Sequence, residues 1–109
     1  MSEALVQKQL DLYNAQDLDA YCACFAPDVI VADVGGAVTT QGREAYRARY
    51  AKAFADFPKN KAQLLNRIVL GAMVIDHERV DRGTGAAPFE VAAIYSFKDG
   101  LIARVDFAK

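Results

Sequence analysis

The sequence predicts an α+β domain in which one layer of helices covers one face of an antiparallel sheet. Three observations carry this. Apolar side chains recur at helical spacing through the first half of the chain, for example Tyr46, Tyr50, Ala53, Phe54 and Phe57. After Pro58 the period changes, and strand-like runs follow one another. Asp99-Gly100 between two such runs is a hairpin turn signal. Helices segregated from strands that pair with their neighbours give α+β rather than alternating α/β. A chain of 109 residues suits a single domain over residues 1–109.

In order, Ser2 is placed to cap a first helix, with Glu3 in its first turn. Leu5, Val6, Leu10 and Tyr13 form its apolar side, and Gln9 shares that side. Asn14-Ala15-Gln16 breaks the pattern. Asp17 caps a short second helix carrying Leu18, Tyr21, Cys22 and Phe25, which Pro27 stops. Residues 29–34 read as the first strand, and Gly35-Gly36 turns the chain. Thr39-Thr40-Gln41-Gly42 leads into a third helix over residues 43–57, ended by Pro58. Strands are expected over residues 63–70, 72–81, 89–97 and 101–107, with a loop at residues 83–88.

Composition excludes several classes of function. The net charge of −1, from 13 basic and 14 acidic side chains, argues against nucleic acid or an anionic membrane as the main partner. No apolar run is long enough to span a bilayer, and the N-terminal MSEALVQKQL lacks the basic start and apolar block of a signal peptide. A cytoplasmic location is the default expectation. Cys22 and Cys24 lie two apart on a helical pattern, point in different directions, and are expected as small buried thiols. With one histidine in the chain, no metal site is expected. Phosphate-loop, dinucleotide, zinc-protease and serine-hydrolase motifs are absent from the sequence.

The residues that could carry chemistry are few. Asp33 ends a strand-like run and precedes two glycines. Strict alternation puts it on one face with Val29 and Val31. If that face lies under the helices, desolvation would raise its pKa and suit it to act as a general base. The competing reading is a strand-end aspartate bonded to the Gly35-Gly36 turn. His77 alternates with Met73, Ile75 and Arg79, while Val74, Asp76, Glu78 and Val80 form the opposite face. On a concave surface His77 and Arg79 would bind an anionic or carbonyl group; on an outer surface they are solvated or face a second copy. Tyr13, Tyr46, Tyr50 and Tyr95 each offer an apolar ring and a hydroxyl. Ala93 and Tyr95 share a face with Val91 and Phe97, and Val105 and Phe107 form the matching face of the last strand.

The stretch from Val6-Gln7-Lys8 through Asn14-Ala15-Gln16-Asp17-Leu18-Asp19-Ala20, followed by Phe25-Ala26-Pro27-Asp28-Val29-Ile30-Val31-Ala32-Asp33, resembles the N-terminal half of the NTF2-like superfamily. Its ketosteroid-isomerase and SnoaL-like branches are the nearest in pattern. Gly42-Arg43-Glu44-Ala45-Tyr46 is similar to the start of their third helix, and Phe97-Lys98-Asp99-Gly100-Leu101-Ile102-Ala103-Arg104-Val105-Asp106-Phe107 to their closing hairpin. The resemblance implies a cone: a curved antiparallel sheet around the helices, an internal apolar pocket, and a homodimer through the outer sheet face. It implies Asp33 at the position of the isomerases' catalytic aspartate and Tyr50 at a tyrosine supporting their oxyanion site. The two main oxyanion donors do not carry over, because their positions hold Gln9 and Ala93. Tyr13, one helical turn from Gln9, or His77 would have to donate instead.

The resulting expectation is a small-molecule pocket protein, a candidate cofactor-free isomerase or cyclase of the steroid delta-isomerase type. It would move a proton alpha to a carbonyl on a hydrophobic ligand. Asp33, Tyr13, His77 and Tyr50 would carry the chemistry. Gln9, Val31, Phe54, Arg79, Ala93, Tyr95, Val105 and Phe107 would line the pocket. The alternative is a non-catalytic ligand-binding or dimerisation module of the same fold.

Overall fold

The computed structural model describes residues 2–109. Three helices, α1 (Ser2–Ala15), α2 (Leu18–Cys22) and α3 (Arg43–Asp56), pack on a curved sheet. Its six strands are β1 (Phe25–Asp33), β2 (Val38–Gln41), β3 (Lys61–Leu70), β4 (Met73–Asp81), β5 (Phe89–Lys98) and β6 (Leu101–Ala108). The order across the sheet is β2-β1-β6-β5-β4-β3. Neighbours are antiparallel except β1 and β6, which run parallel and join the two halves of the chain. The sheet is otherwise the curved antiparallel one expected.

Local chemistry explains most boundaries. The Asp17 carboxylate accepts the Ala20 N–H at 3.3 Å and starts α2. Gly42 precedes α3 with φ of 89°, a left-handed conformation that costs glycine little. Asp99 and Gly100, at φ of 53° and 77°, form the tight hairpin turn between β5 and β6.

The second helix is shorter than expected: it ends at Cys22, and Phe25 already belongs to β1. Pro27 lies inside β1 rather than stopping a helix. It falls where the β1–β6 register is interrupted, between Phe25 and Ile30, so its missing N–H costs no ladder bond. The four-residue edge strand β2 has too little pattern to be foreseen. Both cysteines are free and buried.

The core lies between the helices and the concave sheet face. Val6, Phe25, Val29, Val31, Val74 and Ile102 have no exposed surface. Full burial of such a side chain contributes about 1.5–3 kcal/mol. A cluster of rings joins the helices to this layer: Phe25 and Tyr46 lie 4.4 Å apart between centroids, Tyr46 and Tyr50 4.6 Å, and Tyr21 and Tyr50 5.2 Å. A cavity remains between the helices and strands β4, β5 and β6.

Candidate functional site

One strand irregularity decides which β3 side chains face inward. In β3 the register with β4 shifts between Leu64 and Asn66. The bulge brings Arg67 opposite Asp76 on the inner face and leaves Asn66 opposite His77 on the outer face. Arg67 donates Nε to Asp76 Oδ1 at 2.7 Å and Nη2 to Oδ2 at 2.9 Å, a two-pronged pair. Asp76 is completely buried. Two residues further along β4, Glu78 also points inward, opposite Val91 of β5.

Glu78 is a candidate acid/base group. It is 8% exposed, and its Oε2 is buried without a hydrogen-bond partner. Burial, reinforced by the negative charge of Asp76 and opposed by Arg67, pushes its pKa up from 4.5 to about 7. It lines a cavity of about 140 Å³. Leu10, Ala53, Val80, Val91 and Phe107 form apolar walls, and Tyr13, Tyr50 and Tyr95 offer hydroxyls. The mouth carries Arg49, Arg82, Phe89 and Lys109.

Two of the hydroxyls are oriented by donors behind them. Gln9 Nε2 donates to the Val6 carbonyl at 3.0 Å and to the Tyr95 hydroxyl oxygen at 3.1 Å. Asn60 Nδ2 donates to the Tyr13 hydroxyl oxygen at 2.7 Å. Each tyrosine, having accepted a bond, keeps its own proton available to donate. Burial, followed by the charges of Glu78 and Asp76, holds the Tyr95 phenol well above its ordinary pKa, so it stays protonated. Burial likewise raises Tyr13. Deeper in, Tyr21 and Tyr46 share a hydroxyl–hydroxyl bond of 2.6 Å. A desolvated carboxyl titrating near neutrality, facing fixed hydroxyl donors in an apolar cavity, can take a proton from carbon while a neighbouring oxygen gains charge.

The sequence-expected site residues divide between different places. Gln9, Tyr13, Tyr50, Tyr95 and Phe107 line the cavity. Val31, Ala93 and Val105 are core side chains, and Phe54 packs behind Tyr13 and Tyr50.

Asp33, His77 and Arg79 lie outside the cavity. The pairing of β1 with β2 shifts between Val31 and Ala32, and both of those side chains are fully buried. The extra residue, Thr39, lies in β2, so β1 keeps its alternation: Val31 is opposite Val105 and Asp33 opposite Phe107 of β6, and Asp33 sits at the exposed end of the inner face. It lines an adjoining open groove with Thr39, Thr40 and Arg49. Its backbone, rather than its carboxylate, closes the turn: its N–H donates to Ala37 O at 3.0 Å and its carbonyl accepts from Gly36 at 2.9 Å. His77 and Arg79 are on the outer sheet face, where Glu90 takes His77 Nε2 at 2.6 Å and Arg79 at 3.7 Å. The His77 hydrogen bond is the main cause of a lowered Glu90 pKa.

Glu78 was the residue that sequence reasoning passed over. The available signal was the pair of acids between valines in Val74, Asp76, Glu78 and Val80. Which face those residues take depends on the strands beside them, and the arginine that makes the inward face tolerable lies across a bulge.

The fold is a small α+β domain whose curved sheet and helices surround a cavity. The chain belongs to the SnoaL-like domain family, whose model matches residues 6–105. A cystatin-fold protein from Novosphingobium aromaticivorans is 34% identical over 100% of this chain and 99% of its own, with a TM-score of 0.92. A candidate polyketide cyclase from Sinorhizobium meliloti is 28% identical, covering 96% and 94% of the two chains, with a TM-score of 0.82. A candidate ketosteroid isomerase from Kribbella flavida shares the fold at 18% identity and a TM-score of 0.81, covering 97% of this chain and 75% of its own. No curated protein matches the chain. No described helix is long and apolar enough to cross a membrane.

Proposed function

We propose that the chain binds a small hydrophobic carbonyl compound in the cavity and moves a proton alpha to the carbonyl, with Glu78 as the base. The observation that carries this is the buried Glu78 carboxyl, with an unpartnered Oε2 and a pKa near 7, on the cavity wall. In the ionised form it removes the proton from the α-carbon. The electron pair moves onto the carbonyl oxygen, which receives a hydrogen bond from the Tyr13 or Tyr95 hydroxyl. The protonated Glu78 then returns the proton to a different carbon, which is isomerisation, or the enolate carbon adds to a second carbonyl of the ligand, whose π pair moves to its oxygen and takes the proton from Glu78, which is cyclisation. A base poised near the working pH contributes roughly 10²–10⁴-fold.

The cavity of about 140 Å³ supports a ligand of one ring. An apolar cavity of about 150 Å³ holds a benzene. A four-ring steroid is correspondingly disfavoured. The reading includes a homodimer through the outer sheet face, supported by the exposed apolar side chains Ile68, Leu70 and Met73 on that face.

The test is exchange of α-protons for deuterium in cyclohexanone and related single-ring ketones, followed by NMR with and without Glu78→Gln. The expected result is exchange above the buffer rate that Glu78→Gln reduces by about 10²-fold or more. Ketone binding without accelerated exchange would leave a binding protein and remove the catalytic reading.

A further inference from the structure

The cavity mouth holds charge that proton transfer does not use. Of the seven arginines in the chain, Arg47, Arg67, Arg79 and Arg104 are in ion pairs with carboxylates. Arg43 covers the Phe25 carbonyl at 3.0 Å. Arg49 and Arg82 have no acidic partner among the described residues, and both line the cavity. Neither pairs with Glu78, although it lines the same space. Both are half-buried, where an unpaired guanidinium is more costly than in open water.

Each is also held in place. The Arg49 guanidinium lies 5.5 Å from the Tyr50 ring centroid and 5.9 Å from that of Phe107, and its Nη1 donates to Thr40 Oγ1 at 3.0 Å. Arg82 lies 4.7 Å from the Phe57 centroid and 5.2 Å from the Phe89 centroid, and its Nη1 donates to Asn60 Oδ1 at 3.0 Å. A guanidinium has five N–H donors, so each keeps several unspent. Aromatic faces and one fixed bond hold the plane of the group, which suits it to grip a planar carboxylate. The apolar walls strengthen that attraction relative to water.

We infer that Arg49 and Arg82 form an anion subsite, so that the cavity's ligand is a single-ring carbonyl compound that also carries a carboxylate. The carboxylate sits at the mouth on the guanidinium groups, and the apolar ring enters between Val91, Phe107 and Tyr50. The carbonyl end then lies toward Glu78 and the tyrosine hydroxyls. This orientation rests on the proton-transfer reading of Glu78; the preference for an anion does not.

The probes are benzoate and benzamide, which match in size and differ in charge, titrated into the protein at pH 6 with amide NMR detection. Benzoate is expected to bind more tightly by roughly ten-fold or more, as hydrogen bonds to charged groups require. Its affinity should fall as KCl is added, and Arg49→Gln and Arg82→Gln should each weaken it by more than they weaken benzamide. Glu78→Gln should retain the benzoate preference. Equal binding of the two probes, or binding of neither, would overturn the subsite. So would a benzoate affinity indifferent to both KCl and the arginine substitutions. The salt series uses the unsubstituted protein and decides the matter even if a variant fails to fold. Benzoate preference with no ketone exchange would remove the catalytic reading and keep the subsite; ketone exchange with no benzoate preference would do the reverse.

Discussion

Replacing Glu78 by Gln should make the protein less sensitive to pH, and the size of the effect follows from its surroundings. The groups that face Glu78 are Asp76 on its own strand, Arg67 on β3, Tyr95 on β5 and Tyr13 on α1, with Arg49, Arg82 and Lys109 at the mouth. The folded protein holds its proton up to about pH 7, whereas the unfolded chain releases it near 4.5. Below 4.5 both states are protonated, and Glu78 adds no pH dependence. Between 4.5 and 7 the folded state binds the extra proton, so stability falls as pH rises. Above 7 both states are ionised, and the full cost of the buried charge remains. A displacement of this size corresponds to about 3 kcal/mol.

Glu78→Gln carries no such term. The buried amide introduces its own unmet hydrogen bonds, at about 1–3 kcal/mol, but that cost is the same at every pH. The measurement is therefore the difference between parent and variant in urea unfolding at pH 5 and pH 8.5. The variant should gain on the parent by about 2.5 kcal/mol between the two, since about 1 kcal/mol is already lost at pH 5, a relative midpoint shift of about 1–2.5 M for ordinary urea slopes. Groups that titrate elsewhere cancel in the comparison. Parallel pH profiles for the two proteins would mean that Glu78 is solvated and is not the base.

Three further outcomes test the arrangement around it. Arg67→Met leaves the fully buried Asp76 carboxylate without its partner and should cost about 3–5 kcal/mol in urea unfolding; a loss below about 1 kcal/mol would mean that water replaces the guanidinium. Asp33→Asn should change stability by no more than about 0.5 kcal/mol and leave α-proton exchange intact, because Asp33 is exposed and its side chain has no hydrogen bond among the described residues; a collapse of exchange would move the base to Asp33. Tyr13→Phe strips the acceptor from Asn60, which is 2% exposed, and should cost about 1–3 kcal/mol by calorimetry. If Tyr13 donates to the developing enolate, its exchange rate should also fall, whereas an unchanged rate would leave Tyr95 as the donor.

How much of this was legible in the chain depends on whether a feature is local. The Asp17 cap, the ring spacing of α3 and the Asp99-Gly100 hairpin are set by side chains within a few residues of each other, and the sequence carries them. Gln9, Tyr13 and Tyr50 were legible for the same reason, since helical spacing alone puts them on the buried side. The polarity of the site was not. It turns on one register shift, between Leu64 and Asn66.

A register shift of one residue moves every following side chain to the other face. This one therefore brings Arg67 in, while β1 keeps its alternation and leaves Asp33 beside Phe107 at the exposed end of the inner face. Arg67 then makes a buried Asp76 tolerable, and Asp76 in turn helps to hold Glu78 in its protonated form. The proposed acid/base group, Glu78, is thus influenced by an ion pair between strands β3 and β4 at positions whose facing no single strand reveals. The resemblance to ketosteroid isomerases points to the equivalent aspartate by sequence position; Asp33 occupies it on the inner face, but at the strand end, in an exposed groove adjoining the cavity rather than in the cavity wall. A cone of this kind can keep a carboxylate in its cavity while moving it from β1 to β4, because the cavity is bounded by both strands' sheet and only one of them needs to supply the proton acceptor.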